Sequence, residues 1–109
     1  MTQFDGREKA YEKEFARNEE FDFKVGVRRN KLLGLWAADK MGLKGDDAAA
    51  YAKEVITADF EEAGDEDVYR KVMGDLEAKN LDISEHQLRR EMEDQLTIAR
   101  QQLTDELNG

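Results

Sequence analysis

From residue 21 onward, apolar positions return every three or four residues, the period of one face of an α-helix. The spacing places Ala48, Ala52, Val55, Ile56, Asp59, Phe60 and Ala63 on one stripe, and Val68, Val72, Met73 and Leu76 on a second. Leu88, Met92, Leu96, Ala99, Leu103 and Leu107 form a third. An earlier stripe holds Phe21, Val25, Leu32, Leu35 and Trp36, with Phe23 and Val27 to one side and Gly26 and Gly34 inside it. Trp36, among Leu32, Leu33, Leu35 and Ala37, reads as core.

Punctuation separates the stripes. Gly42 and Gly45 bracket a turn, and Asp46 and Asp47 supply carboxylates for the positive end of the next helix. Gly64 followed by Asp65, Glu66 and Asp67 repeats the device, with Asp65 as N-cap. Asn80 closes that third helix, and Ser84 with Gln87 three residues on makes a capping box for a fourth. The predicted helices cover about 20–41, 46–63, 66–80 and 85–107. With connections this short, the expectation is an all-α four-helix bundle over residues 19–109, preceded by a flexible N-terminal arm of residues 1–18.

The arm departs from the pattern. In "FDGREKAYEKEF" the aromatics Phe4, Tyr11 and Phe15 keep helical spacing, but charged residues fill most of the gaps. An isolated helix of fewer than about 15 residues is marginal because nucleation is costly, and Gly6 lowers its helicity further. A solvated tail is one reading. Three aromatics on one helical face fit better a segment that becomes helical on docking into a partner's groove.

Composition narrows the class. One domain is expected from 109 residues, and 39% charged residues with no proline favour helix over sheet. Without cysteine there is no disulfide framework and no thiol chemistry, which makes the cytoplasm the default compartment. No window is apolar for long enough to span a membrane, so direct membrane insertion is not expected. A net charge of -9 argues against nucleic acid as a partner. The charge is uneven, however: residues 21–44 carry a net +4 and residues 45–69 a net -8.

Little in the chain points to catalysis. His86 has no second histidine or cysteine to complete a metal site, and the carboxylates Asp59, Glu61, Glu62, Asp65, Glu66 and Asp67 lack the spacing of a calcium loop. "GLKGDD" is not a phosphate cradle, and the one serine, Ser84, is used as a cap. The chain therefore reads as a protein binder and not an enzyme, with no cofactor and no metal. The basic strip of Lys24, Arg28, Arg29 and Lys31 has two readings. Either these side chains pair with the acidic second and third helices across the bundle, or they form an anion or nucleotide-phosphate site or a contact for an acidic partner.

The stretch "FDGREKAYEKEFARNEEFDFKVGVRRNKLLGLWAADKMG" and the later "AAAYAKEVITADFEEAGDEDVYRKV" resemble the alphaproteobacterial zeta subunit, the regulatory inhibitor of the F-type ATP synthase. The resemblance runs from about Phe4 to Val72 and continues more weakly to the C-terminus. It implies a four-helix bundle whose mobile N-terminus blocks ATP hydrolysis by the catalytic head. The spacing of Phe4, Arg7, Glu8, Ala10, Glu12 and Phe15 is also similar to the inhibitory stretch of the mitochondrial ATP synthase inhibitor protein. Together these imply an arm, with Tyr11 as a further contact, that wedges between alpha and beta subunits beside the gamma shaft while the bundle anchors it. They also imply a cytoplasmic protein held at the inner face of the plasma membrane through the synthase. The competing expectations are a helical-bundle nucleotide or anion sensor using the strip around Arg28, and an adaptor for another protein.

Overall fold

The computed structural model describes the backbone of residues 2–61 and 65–108 and the side chains of residues 19–59 and 65–108. Among these residues there are four helices and no strand: α1 (Thr2–Lys40), α2 (Gly45–Glu61), α3 (Asp65–Ala78) and α4 (Glu85–Asn108). They form the all-α four-helix bundle expected from the stripes. Helix α1 touches each of the other three, whereas α2 and α4 lie on opposite flanks and do not meet among the described residues.

The chain reverses through two closely similar caps. After α1, Gly42 adopts φ +80°. Its N–H donates to Asp39 O at 3.1 Å and the Leu43 N–H donates to Ala38 O at 2.8 Å. After α3, Asn80 takes the same role with φ +59°. Here the Asn80 N–H reaches Glu77 O at 2.9 Å and the Leu81 N–H reaches Leu76 O at 3.1 Å. In both turns the orphan carbonyls of the last helical turn are satisfied, and Leu43 and Leu81 fold back onto the core. Helix α4 opens with the capping box: the Ser84 N–H donates to Gln87 Oε1 at 2.9 Å and the Gln87 N–H to Ser84 Oγ at 3.1 Å.

The main core joins all four helices through Leu33, Ala37, Val55, Val68, Val72, Leu76 and Leu88, each fully buried. The face that α1 contributes is rotated from the expected stripe. Leu33, Ala37 and Ala38 are buried while Leu35 and Trp36 are only half-covered, and the Lys40 ammonium lies 5.8 Å from the Trp36 ring centroid. The cause is Gly34. A Cβ built there would lie 2.6 Å from the Ala52 Cα, so the missing side chain lets the α2 backbone settle directly on this face. Tyr51, left out of the predicted stripe, is buried beside Ala52.

A second cluster is made by α1 and α4 alone, from Val25, Ala99 and Leu103 with Phe21, Leu32 and Leu96 packed on it. On the α2–α3 side, Asp59 and Asp65 meet α1 at Asn30 and Arg29. N-terminal to that level the described residues of the bundle belong to two antiparallel helices, α1 and α4. Leu107, near the end of α4, lines a groove with Glu20 and Phe21. It is 62% exposed, so the third stripe stops short of its predicted end because no helix remains to cover it. Residues 2–18 continue α1 past this level. Extending a helix already nucleated inside the bundle avoids the nucleation cost that an isolated arm would bear.

Candidate partner-binding site on α1 and α4

The basic strip of α1 divides by depth. Arg29 is 5% exposed, and its guanidinium is committed: Nε donates to Asn30 Oδ1 and Nη2 to Asp65 Oδ1, both at 2.8 Å. Asn30, fully buried, passes the connection on by donating from Nδ2 to Asp59 Oδ2 at 2.9 Å. This network explains a carboxylate on the apolar stripe of α2, where Asp59 receives the buried amide. Among the described residues no buried side-chain nitrogen or oxygen is left without a partner.

Arg28 turns the other way, toward α4. Nη1 donates to Gln102 Oε1 and Nη2 to Glu106 Oε1, each at 2.8 Å. Of the two arginines, then, Arg29 pairs with the acidic α3 as one sequence reading expected, and Arg28 pairs with α4. Lys24 makes an exposed ion pair at 3.3 Å with Glu20 one turn earlier. Lys31 is exposed, with no ion pair or hydrogen bond to a described side chain.

These cations border a groove of about 910 Å³ between α1 and the end of α4. Its apolar lining includes Phe21, Val27 and Leu103, and the strongly exposed Phe23 and Leu107 stand at its edges. The α4 wall of this groove was not legible as a site in the sequence, because Leu103 and Leu107 carry the same spacing as core positions. The arm residues Phe4, Arg7, Glu8, Ala10, Tyr11, Glu12 and Phe15 belong to the backbone of α1, but their side chains lie outside the described residues, as do those of Phe60, Glu61, Glu62 and Ala63.

The remaining polar chemistry ties helices together. The Tyr51 hydroxyl donates to Asp75 Oδ2 at 2.8 Å, and Lys71 Nζ reaches the same oxygen at 2.8 Å while lying 5.2 Å from the Tyr51 ring centroid. Burial, with the carboxylate of Asp75 beside it, pushes the Tyr51 phenol well above its ordinary pKa. Arg89 binds Glu66 across the α3–α4 gap at 3.0 Å and stacks 4.1 Å over the Tyr69 ring. Its hydrogen bond holds the Glu66 carboxyl below its usual range. His86 is exposed in the first turn of α4, and no group of three potential metal ligands comes together among the described residues. Nor is any helix among them long and apolar enough to cross a membrane.

Comparison with known proteins places this arrangement. The family described as ATPase inhibitor subunit zeta matches residues 1–102, which takes in both the arm and nearly all of the bundle. The chain belongs to the ATPase inhibitor subunit zeta family. Membership supports a role as an inhibitor of the F-type ATP synthase and an association with that enzyme. A protein solved by solution NMR is similar to this zeta-family chain at 54% identity, covering 77% of it and 95% of the solved chain with a TM-score of 0.68. No curated protein sequence matches significantly. The family assignment rests on the match over residues 1–102, independently of the groove geometry.

Proposed function

We propose that residues 1–18 inhibit ATP hydrolysis by inserting between an alpha and a beta subunit of the F-type ATP synthase beside the gamma shaft, and that residues 19–109 hold them there. The observation that carries this division is the course of α1. Its second half is enclosed by a core in which every buried polar group described has a partner, and its first half runs on past the end of α4. The continuation, about 18 residues and on the order of 27 Å at 1.5 Å per residue, is long enough to enter a subunit interface while the bundle stays outside. Burying Phe4, Tyr11 and Phe15 would contribute on the order of 1.5–3 kcal/mol each, and a helix propagated from the bundle has less ordering entropy to lose. Arg7, Glu8 and Glu12 would fix register through charge-assisted hydrogen bonds, and Ala10 would let the helix approach closely. A steric block of rotation needs no catalytic group, so the protein regulates without being an enzyme. It would act at the cytoplasmic face of the membrane that holds the synthase.

The test compares the intact chain with a version beginning at Glu19, each checked for helical content, in ATP hydrolysis by the purified cognate F-type ATPase. Inhibition by the intact chain alone is expected. Equal inhibition by the shortened chain would contradict the assignment to the arm. The nucleotide- or anion-sensor reading has less support, because Arg28 and Arg29 already use their guanidiniums inside the fold. Calorimetry with ATP and ADP separates the two: binding that disappears in an Arg28→Ala, Arg29→Ala double variant would favour the sensor.

A further inference from the structure

We propose that the groove between α1 and the end of α4 is a docking surface for a helix of the synthase's catalytic head that presents apolar side chains flanked by carboxylates. This deepens the proposed function and rests on its reading of residues 1–18 as the inserted element.

Position, shape and charge each support it. The groove begins at Glu20, immediately after the arm on the same unbroken helix, so whatever grips the arm stands within about two turns of its mouth. Along α1 it extends from Glu20 to Lys31, on the order of 16 Å or three helical turns, a length that suits a docked helix. Phe21, Val27 and Leu103 offer an apolar lining at a level where, among the described residues, the bundle consists of α1 and α4. The groove carries three cations, Lys24, Arg28 and Lys31, against two carboxylates, Glu20 and Glu106, which pair with Lys24 and Arg28 and leave a local excess of one positive charge in a chain whose net charge is -9. Among the described residues Lys31 is the one of these cations with no ion pair or hydrogen bond, which suits a carboxylate arriving from outside. A second copy of this chain is a less suitable occupant, because two such acidic molecules repel over most of their surfaces.

The experiment uses the full chain carrying Lys31→Glu or Val27→Asp. Binding to the immobilised cognate F-type ATPase is measured alongside inhibition of hydrolysis, with unfolding midpoints recorded for each variant. Lys31→Glu alters an exposed side chain and keeps the test valid even if Val27→Asp perturbs packing. Each variant is expected to bind roughly tenfold or more weakly, and to need a correspondingly higher concentration for half-inhibition, with inhibition at saturation unchanged. Lys53→Glu, on the far side of the bundle, should keep the parent affinity. Unchanged binding by Lys31→Glu and Val27→Asp overturns the groove assignment, as does a dimer in sedimentation that Lys31→Glu dissociates. A parent chain that binds without inhibiting would remove the arm reading alone, and weaker binding by the variants would still support the groove.

Discussion

Two glycines on α1, eight residues apart, should respond in opposite directions to the same substitution. At Gly34 a Cβ would sit 2.6 Å from the Ala52 Cα, 3.1 Å from its Cβ and 3.3 Å from Val55 Cγ2. The nearest of these is backbone and cannot rotate away, so α1 and α2 would have to separate by on the order of 1 Å to restore ordinary contact. Overpacking of this kind costs typically 1–3 kcal/mol, and a rigid neighbour puts Gly34→Ala near the upper end. The gain in helix propensity returns up to about 1 kcal/mol, leaving a net loss near 2 kcal/mol. At Gly26 no described atom lies within 4 Å of the new Cβ, so Gly26→Ala should keep the propensity gain of about 0.5–1 kcal/mol. Urea unfolding followed by far-UV circular dichroism separates the variants, and each kcal/mol should move the thermal midpoint by roughly 4 °C or more. A Gly34→Ala protein as stable as the parent would refute the claim that backbone approach sets the α1–α2 spacing.

The buried network makes a second test: Asn30→Ala strands Arg29 Nε and the Asp59 carboxylate, and should cost about 1–3 kcal/mol in urea, against under about 0.5 kcal/mol for neighbouring Lys31→Ala. The raised Tyr51 pKa means that the folded state holds the phenolic proton more tightly than the unfolded state does. Its contribution to stability is therefore complete below about pH 10 and declines as pH rises above that value. Ultraviolet titration should find one tyrosine that ionises only on unfolding, and Tyr51→Phe should abolish that late step. Ser84→Ala removes half of the capping box and should cost about 0.5–2 kcal/mol, with faster amide exchange confined to the first turn of α4.

The helices were legible because their signals are local. Gly42, Asn80 and the Ser84–Gln87 pair each act within one turn, and each performs the capping its residue type suggests. Which face of α1 is buried was less legible, since that depends on a close approach made possible by Gly34, and a glycine adds nothing to a hydrophobic stripe. Asn30 escaped notice for a related reason: it is a core residue by virtue of partners 29 and 1 positions away, and no periodicity reports a hydrogen bond. An asparagine in mid-helix without a capping role was the available clue. Tyr51 could have been found from its one-turn spacing to Val55. For the strip, the sequence supplied the cations but not their directions, and it is the opposite turns of Arg28 and Arg29 that leave a groove on one side and a hydrogen-bonded network around a buried guanidinium on the other.

Because α1 is both the central member of the bundle and the continuous backbone of the arm, it also defines a load path. A force drawn along the arm enters the bundle at Phe21 and is met first by the small α1–α4 cluster, then by Arg29 and Asn30, and finally by the four-helix core. These layers lie in series along one helix, and α1 must slide past its neighbours to escape, which loads many contacts in shear at once. If residues 1–18 insert as proposed, the protein would thus resist extraction with the whole of its fold and not with its terminal segment alone.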